Sequence, residues 1–180
     1  MNTTRKAVLL DRDGVIVRDT GYIRSPRELE IIERVPEALI LLREAGYLLI
    51  VVSNQSGVAR GLMTLADCIA IGRELERILL MRGARLDAQY FCPHHPAEGT
   101  GEFRCECFCR KPAPGMLKRA MREWNIDASM SWMIGDNTRD IEAGLNAGVT
   151  PLYIGGPPRG VNTHNDLMDA AKFILENPKG

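Results

Sequence analysis

The chain has 180 residues, 45% of them apolar and 26% charged, a composition that suits one domain with a single sizeable core. Lys plus Arg and Asp plus Glu each total 23, so no global field draws the chain to nucleic acid or to an anionic membrane. Only four apolar residues follow the polar start Met1-Asn2-Thr3-Thr4-Arg5-Lys6, too few for a signal peptide, and no apolar run approaches the length of a membrane span, so the cytoplasm is the expected compartment.

Short β-type runs alternate with longer helical patterns. The first run, Ala7 to Leu10, stops at Asp11-Arg12-Asp13-Gly14, and a polar connection follows over residues 14 to 34. Pro36 opens a helical pattern through Ala38, Leu39, Leu42 and Ala45 that Gly46 stops. Leu48 to Val52 is nearly all apolar, as a strand covered on both faces should be, and ends at Ser53-Asn54-Gln55-Ser56-Gly57. Thr64 with Asp67 reads as a capping box for a helix reaching about Met81, with Gly83 beyond its end. Leu86 to Phe91 is the third strand, followed by a cysteine-rich loop; Pro114 opens a helix ending near Trp124. Ser131 to Ile134 runs into Gly135-Asp136, Ile141 to Ala147 is a short helix, and Leu152 to Ile154 is the last strand before Gly155-Gly156-Pro157-Pro158. A final helix spans Asp166 to Leu175, and His164 before it reads as a surface or helix-start residue. This alternation predicts an α/β, three-layer Rossmann-like fold with a central parallel sheet, in one domain over residues 1–180. The insertions after the first and third strands are short, so no large cap domain is expected, and a monomer is the default.

The polar residues collect at the C-terminal ends of these strands, the edge where open parallel sheets bind ligands. Asp11 and Asp13 lie two apart, so along a continuing strand both side chains point to one side. D-x-D-G by itself also occurs in calcium loops and ordinary turns. With Ser53, Asn54, Lys111 after Arg110, and Asp136 with Asp140 behind it, the set becomes a coherent kit for phosphoryl transfer. Carboxylates hold a hard cation through oxygen, and magnesium suits a site with few protein ligands. Lysine and the cation offset phosphate charge; one carboxylate attacks phosphorus, and the other protonates the leaving alkoxide and then activates water.

Asp11-Arg12-Asp13-Gly14-Val15, Ser53-Asn54, Lys111 and Gly135-Asp136-Asn137-Thr138-Arg139-Asp140 resemble the four motifs of the haloacid dehalogenase superfamily of phosphohydrolases. By that resemblance Asp11 is the nucleophile and Asp13 the acid and base. Magnesium would be held by the Asp11 side chain, the Asp13 carbonyl and Asp136, while Ser53 and Lys111 would stabilise the phosphoryl group.

Four of the five cysteines crowd between Cys92 and Cys109, which in a reducing compartment reads as metal binding before disulfides. Zinc takes four Cys or His ligands in a closed structural site, and six side chains compete here: Cys92, His94, His95, Cys105, Cys107 and Cys109. Spacing leaves the choice open. Cys92-Pro93-His94-His95-Pro96, followed by Cys107-Phe108-Cys109-Arg110-Lys111-Pro112, is similar to the heptose bisphosphate phosphatase family, which also shares Gly21-Tyr22, Asn54-Gln55-Ser56-Gly57 and Ala59-Arg60-Gly61. The resemblance covers residues 7 to 150 and implies zinc on Cys92, His94, Cys107 and Cys109 in loop 92–109, with Cys105 and His95 as bystanders.

It further implies removal of the 7-phosphate from D-glycero-D-manno-heptose 1,7-bisphosphate, on the route to nucleotide-activated heptose. Substrate contacts would come from Asp19, Thr20, Gly21 and Tyr22, from Ser53, Asn54, Gln55 and Ser56, and from Arg110 with Lys111. Arg110 has the planar fork that suits a second phosphate. Position 137, often basic in relatives, is Asn137 here, which removes a charge from that place. The sister activity, histidinol phosphate hydrolysis, would want an acidic patch in place of Arg110. A phosphorylated receiver-like signalling domain also gathers acids, a hydroxyl and a lysine around magnesium, but Asp13 and the cysteine loop argue against it.

Overall fold

The computed structural model describes residues 4–156 and 162–179. Six strands, β1 (Ala7–Leu10), β2 (Leu48–Asn54), β3 (Ala88–Cys92), β4 (Trp132–Gly135), β5 (Thr150–Ile154) and β6 (Thr163–His164), form one parallel sheet in the order β3-β2-β1-β4-β5-β6. Side chains on β1 alternate between two cores, as a period of two requires: Val8 and Leu10 enter one, Ala7 and Leu9 the other. Helices α1 (Val35–Glu44), α2 (Leu65–Met81) and α5 (Leu167–Glu176) cover the first face. Helices α3 (Gly115–Trp124) and α4 (Thr138–Ala147) cover the second. Helices on both faces explain why β1 and β2 read as unbroken apolar runs. The fold is the three-layer α/β arrangement that the sequence predicts.

Several boundaries differ from the sequence expectation, each for a local reason. The Thr64–Asp67 capping box is formed, and α2 has the expected extent. A second capping box, Asn137 with Asp140, starts α4 at Thr138 rather than Ile141. The last predicted strand begins at Thr150, and a sixth follows it. That two-residue edge strand pairs Tyr153 with Thr163 and Ile154 with His164, too short and polar to carry a periodic signal. His164 is therefore an edge-strand residue, half-buried with its ring 4.8 Å from that of Phe173, and not the surface or helix-start residue expected. Pro157 and Pro158 lie outside the described residues.

The connections after β1 and β3 carry only the 3-10 turns Pro26–Glu28 and Gly101–Phe103, so no cap domain stands over the sheet among the described residues. None of the described helices is long and apolar enough to cross a membrane.

Candidate active site

The order in which strands are added changes side at β1, which has β2 on one side and β4 on the other. The C-terminal ends of β1 and β4 thus border the crevice in which open α/β sheets bind ligands. Asp11 N donates to Ile134 O at 2.9 Å, so the β1–β4 ladder continues one residue into the motif and fixes the Asp11 backbone. The chain then turns at Gly14 with φ +81, and a Cβ there would collide with the Asp136 carboxylate. Only glycine permits this approach, for both the left-handed conformation and the space.

Lys111 lies at the centre, fully buried. Its Nζ stands 2.9 Å from Asp11 Oδ1 and 2.7 Å from Asp140 Oδ1, and donates to Val52 O at 2.7 Å. Burial pulls the lysine pKa down, but Asp11 and Asp140 together outweigh it and hold the ammonium charged. Asn54 anchors the same segment by a reciprocal pair with Lys111, Nδ2 to its carbonyl and Oδ1 from its amide, both 3.0 Å. Asp140 is held by the α4 capping box, its Oδ2 accepting from Asn137 N at 3.1 Å. Asn137 is thus a helix cap.

Asp13 is organised by a side chain that sequence reasoning missed. Arg12, buried despite its charge, forks onto both Asp13 oxygens at 3.0 Å and donates to Gln55 Oε1 at 3.0 Å. Gln55 Nε2 in turn donates to Asp13 Oδ2 and to Ser53 Oγ, both at 2.8 Å. Ser53 is buried behind this network. Burial pushes the Asp13 carboxyl up, against the pull of Arg12. Flanking acids were the one signal for Arg12, and they do not distinguish a buried arginine from an exposed one.

Asp136 is pushed up to about 6, first by burial and then by the negative charges of Asp11 and Asp140. Asp11, Asp136 and Asp140 each bring a carboxylate oxygen within 4.8 Å of the others. Among the described residues, the carboxylates of Asp11, Asp13, Asp136 and Asp140 have only Lys111 and Arg12 as ion-pair partners, a surplus of two negative charges when all four are ionised. A divalent oxygen-seeking cation fits that donor set.

Beside the carboxylates opens a pocket of about 130 Å3, lined in part by Asp13, Asn54, Gln55, Ser56 and Arg110. Asp19, Gly21 and Tyr22 form its outer wall. Thr20 is exposed and outside that lining, whereas Ile23 and Arg139, not anticipated from sequence, belong to it.

Of the six Cys and His candidates in the loop, the structure brings four together. Cys92 Sγ lies 3.5 Å from Cys107 Sγ and 3.1 Å from Cys109 Sγ, and Cys107 and Cys109 are 3.2 Å apart. His94 Nδ1 is 3.6 Å from Cys92 Sγ and 3.4 Å from Cys109 Sγ. A tetrahedral zinc with ordinary Zn–S and Zn–N bonds has edges of roughly 3.3–3.8 Å. The cluster is slightly tighter but of the right shape. Cys105 is not in it, and His95 faces away, its Nδ1 accepting from Ala97 N and Glu98 N.

A family model described as HAD-hydrolase-like matches residues 108–177. The D-glycero-beta-D-manno-heptose-1,7-bisphosphate 7-phosphatase of Pasteurella multocida is 41% identical over 175 residues, 96% of this chain and 92% of that protein. The enzyme of the same name from Escherichia coli K12 is 43% identical over 173 residues, covering 95% and 88%. The crystal structure of D,D-heptose 1,7-bisphosphate phosphatase from B. bronchiseptica, complexed with magnesium and phosphate, matches with a TM-score of 0.83 at 32% identity, over 97% of this chain and 99% of that one. Fold, carboxylate cluster and these matches define a phosphoric monoester hydrolase of the HAD type. Within that class, the chain belongs to the heptose-1,7-bisphosphate 7-phosphatase family.

Proposed function

We propose that this protein removes the 7-phosphate of D-glycero-β-D-manno-heptose 1,7-bisphosphate by way of an aspartyl phosphate on Asp11. The observation that carries this reading is the site's polarity: a surplus of two negative charges at the strand ends, beside a pocket whose wall holds arginines. The relatives' names supply the sugar and the anomer.

The Asp11 carboxylate attacks phosphorus as the bond to the C7 oxygen breaks, and Asp13 gives its proton to the departing alkoxide. Asp13 then takes a proton from water, which attacks the same phosphorus and releases phosphate from Asp11. Lys111, held charged between Asp11 and Asp140, keeps the nucleophile oriented and faces the phosphoryl charge. The Ser53 hydroxyl, which accepts from Gln55 Nε2, would turn its own proton to a phosphoryl oxygen. The Asp11 side chain, the Asp13 carbonyl and Asp136 would hold magnesium, which when bound neutralises phosphate charge. Cys92, His94, Cys107 and Cys109 would hold a structural zinc, closed to water, that shapes the loop carrying Arg110 and Lys111. Five free cysteines, four of them in this loop, support a reducing, cytoplasmic setting.

Steady-state hydrolysis of both heptose bisphosphate anomers, fructose bisphosphate and histidinol phosphate with magnesium tests the assignment. The β anomer should have the highest kcat/KM; a preference for histidinol phosphate would overturn the choice of substrate. Because the Asp136 carboxyl is raised to about 6, protons should compete with magnesium in the mildly acidic range. The ionised, cation-binding form prevails above about 6 and is lost as pH falls through it. The magnesium concentration for half-maximal activity should therefore rise between pH 7.5 and pH 5.5, and a pH-independent value would count against Asp136 as a ligand.

A further inference from the structure

We propose that Arg139 forms, with Arg110, a two-guanidinium clamp for the second phosphate of the substrate, and so selects bisphosphates over monophosphates. This rests on the phosphatase reading above and deepens it.

Two segments build the pocket in the same way. In the first, Lys111 is buried against Asp11, while Arg110, one residue earlier, is half-buried and reaches the pocket wall. In the second, Asp136 sits at the carboxylate cluster, while Arg139, in the first turn of α4, reaches the same pocket. Each segment thus offers one group to the reacting phosphate and one guanidinium to the space beyond it.

Among the described residues, neither guanidinium has an ion-pair partner. Arg110 donates only to the carbonyl of His94, at 3.1 Å. Burial disfavours the charge on Arg110, the sulfurs of Cys92 and Cys107 favour it, and the positive charges of Arg139 and Arg60 disfavour it, which places these cations within one field. Arg60 is already matched by Glu98. Of the two carboxylates in the same lining, Asp13 is taken by Arg12 and Asp19 accepts from Gly21 N, so two guanidiniums face the pocket against one carboxylate without an ion pair, and an anion between them relieves their repulsion. A phosphate dianion has the charge and the fork geometry for two guanidiniums. Since Asp11 and Lys111 define where the reacting phosphate lies, the anion at Arg110 and Arg139 is the one at the other end of the sugar.

The positive field of Arg139 also reaches Asp136 and Asp140, so a direct effect on the reaction centre must be separated from substrate selection. The ratio of kcat/KM for heptose 1,7-bisphosphate to that for heptose 7-phosphate separates them, measured with magnesium for wild type, Arg139→Gln and Arg139→Lys. The clamp predicts that the ratio falls about ten- to a hundred-fold in Arg139→Gln, mainly through KM for the bisphosphate, with partial recovery in Arg139→Lys. Equal loss on both substrates, or a wild-type ratio retained in Arg139→Gln, overturns the clamp and leaves the phosphatase reading standing. A wild-type enzyme that turns over histidinol phosphate faster than either sugar overturns the reading and the clamp together.

Discussion

Asparagine in place of Asp11 should lower kcat by at least about 10⁴-fold in a protein that remains folded, because an amide is a poor nucleophile toward phosphorus. The fold should survive: Lys111 keeps Asp140 at 2.7 Å and Val52 O at 2.7 Å, and the Arg12 amide still finds an oxygen acceptor at position 11. Rapid acid quench would find no hydroxylamine-sensitive phosphoenzyme. If Asp11→Asn still formed one, the nucleophile would be another residue. Asp13→Asn makes the contrast, with kcat down about 10²- to 10⁴-fold for lack of proton transfer and phosphate binding retained. Its one amide oxygen can still accept from Gln55 Nε2 and Arg12 Nη2, while its NH2 replaces the oxygen that accepts from Arg12 Nε, so the Arg12–Gln55–Ser53 network is kept in part. The two variants separate attack from protonation.

Removing the zinc ligands should act at a distance. Cys107→Ser and Cys109→Ser are expected to lose bound zinc, to make loop 92–111 sensitive to protease, and to lower kcat/KM by about 100-fold, the effect of a misplaced catalytic group. The route is covalent and short: Cys109 is two residues before Lys111, and Arg110 between them is tied to His94 O at 3.1 Å. Loosening the cluster therefore loosens the segment that inserts Lys111 between Asp11 and Asp140. Zinc content by metal analysis, limited proteolysis and kinetics on the same preparations check the three effects together. Full activity in a demonstrably zinc-free protein would remove the loop's proposed role.

Much of the architecture was legible because it follows from periodicity and end signals. The apolar runs of β1 and β2, the Thr64–Asp67 box and the glycines after helices are local features, and each marks the element found there. β6 was not legible, because two polar residues carry no pattern and its pairing with β5 is decided by tertiary contact. α4 starts three residues before the periodic pattern because the Asn137 side chain caps it, a signal carried by an amide oxygen and not by apolar spacing.

For the site, sequence by itself determined which chemical groups stand at the strand ends: paired acids after β1, a hydroxyl at the end of β2, a lysine after the cysteines, and acids after β4. Residue type and element boundary suffice for that, since a parallel sheet delivers its C-terminal ends to one edge. Only the tertiary structure decided what each group meets. It buried Arg12 against Asp13 and Gln55, placed Lys111 between two carboxylates, and turned Arg139 toward the pocket that Arg110 lines. It also separated Cys92, His94, Cys107 and Cys109 from Cys105 and His95, a choice spacing left open. The reason is the same in each case. Charge pairing and ligand geometry depend on distances of 3 to 4 Å between side chains far apart in the chain, and no local pattern encodes those.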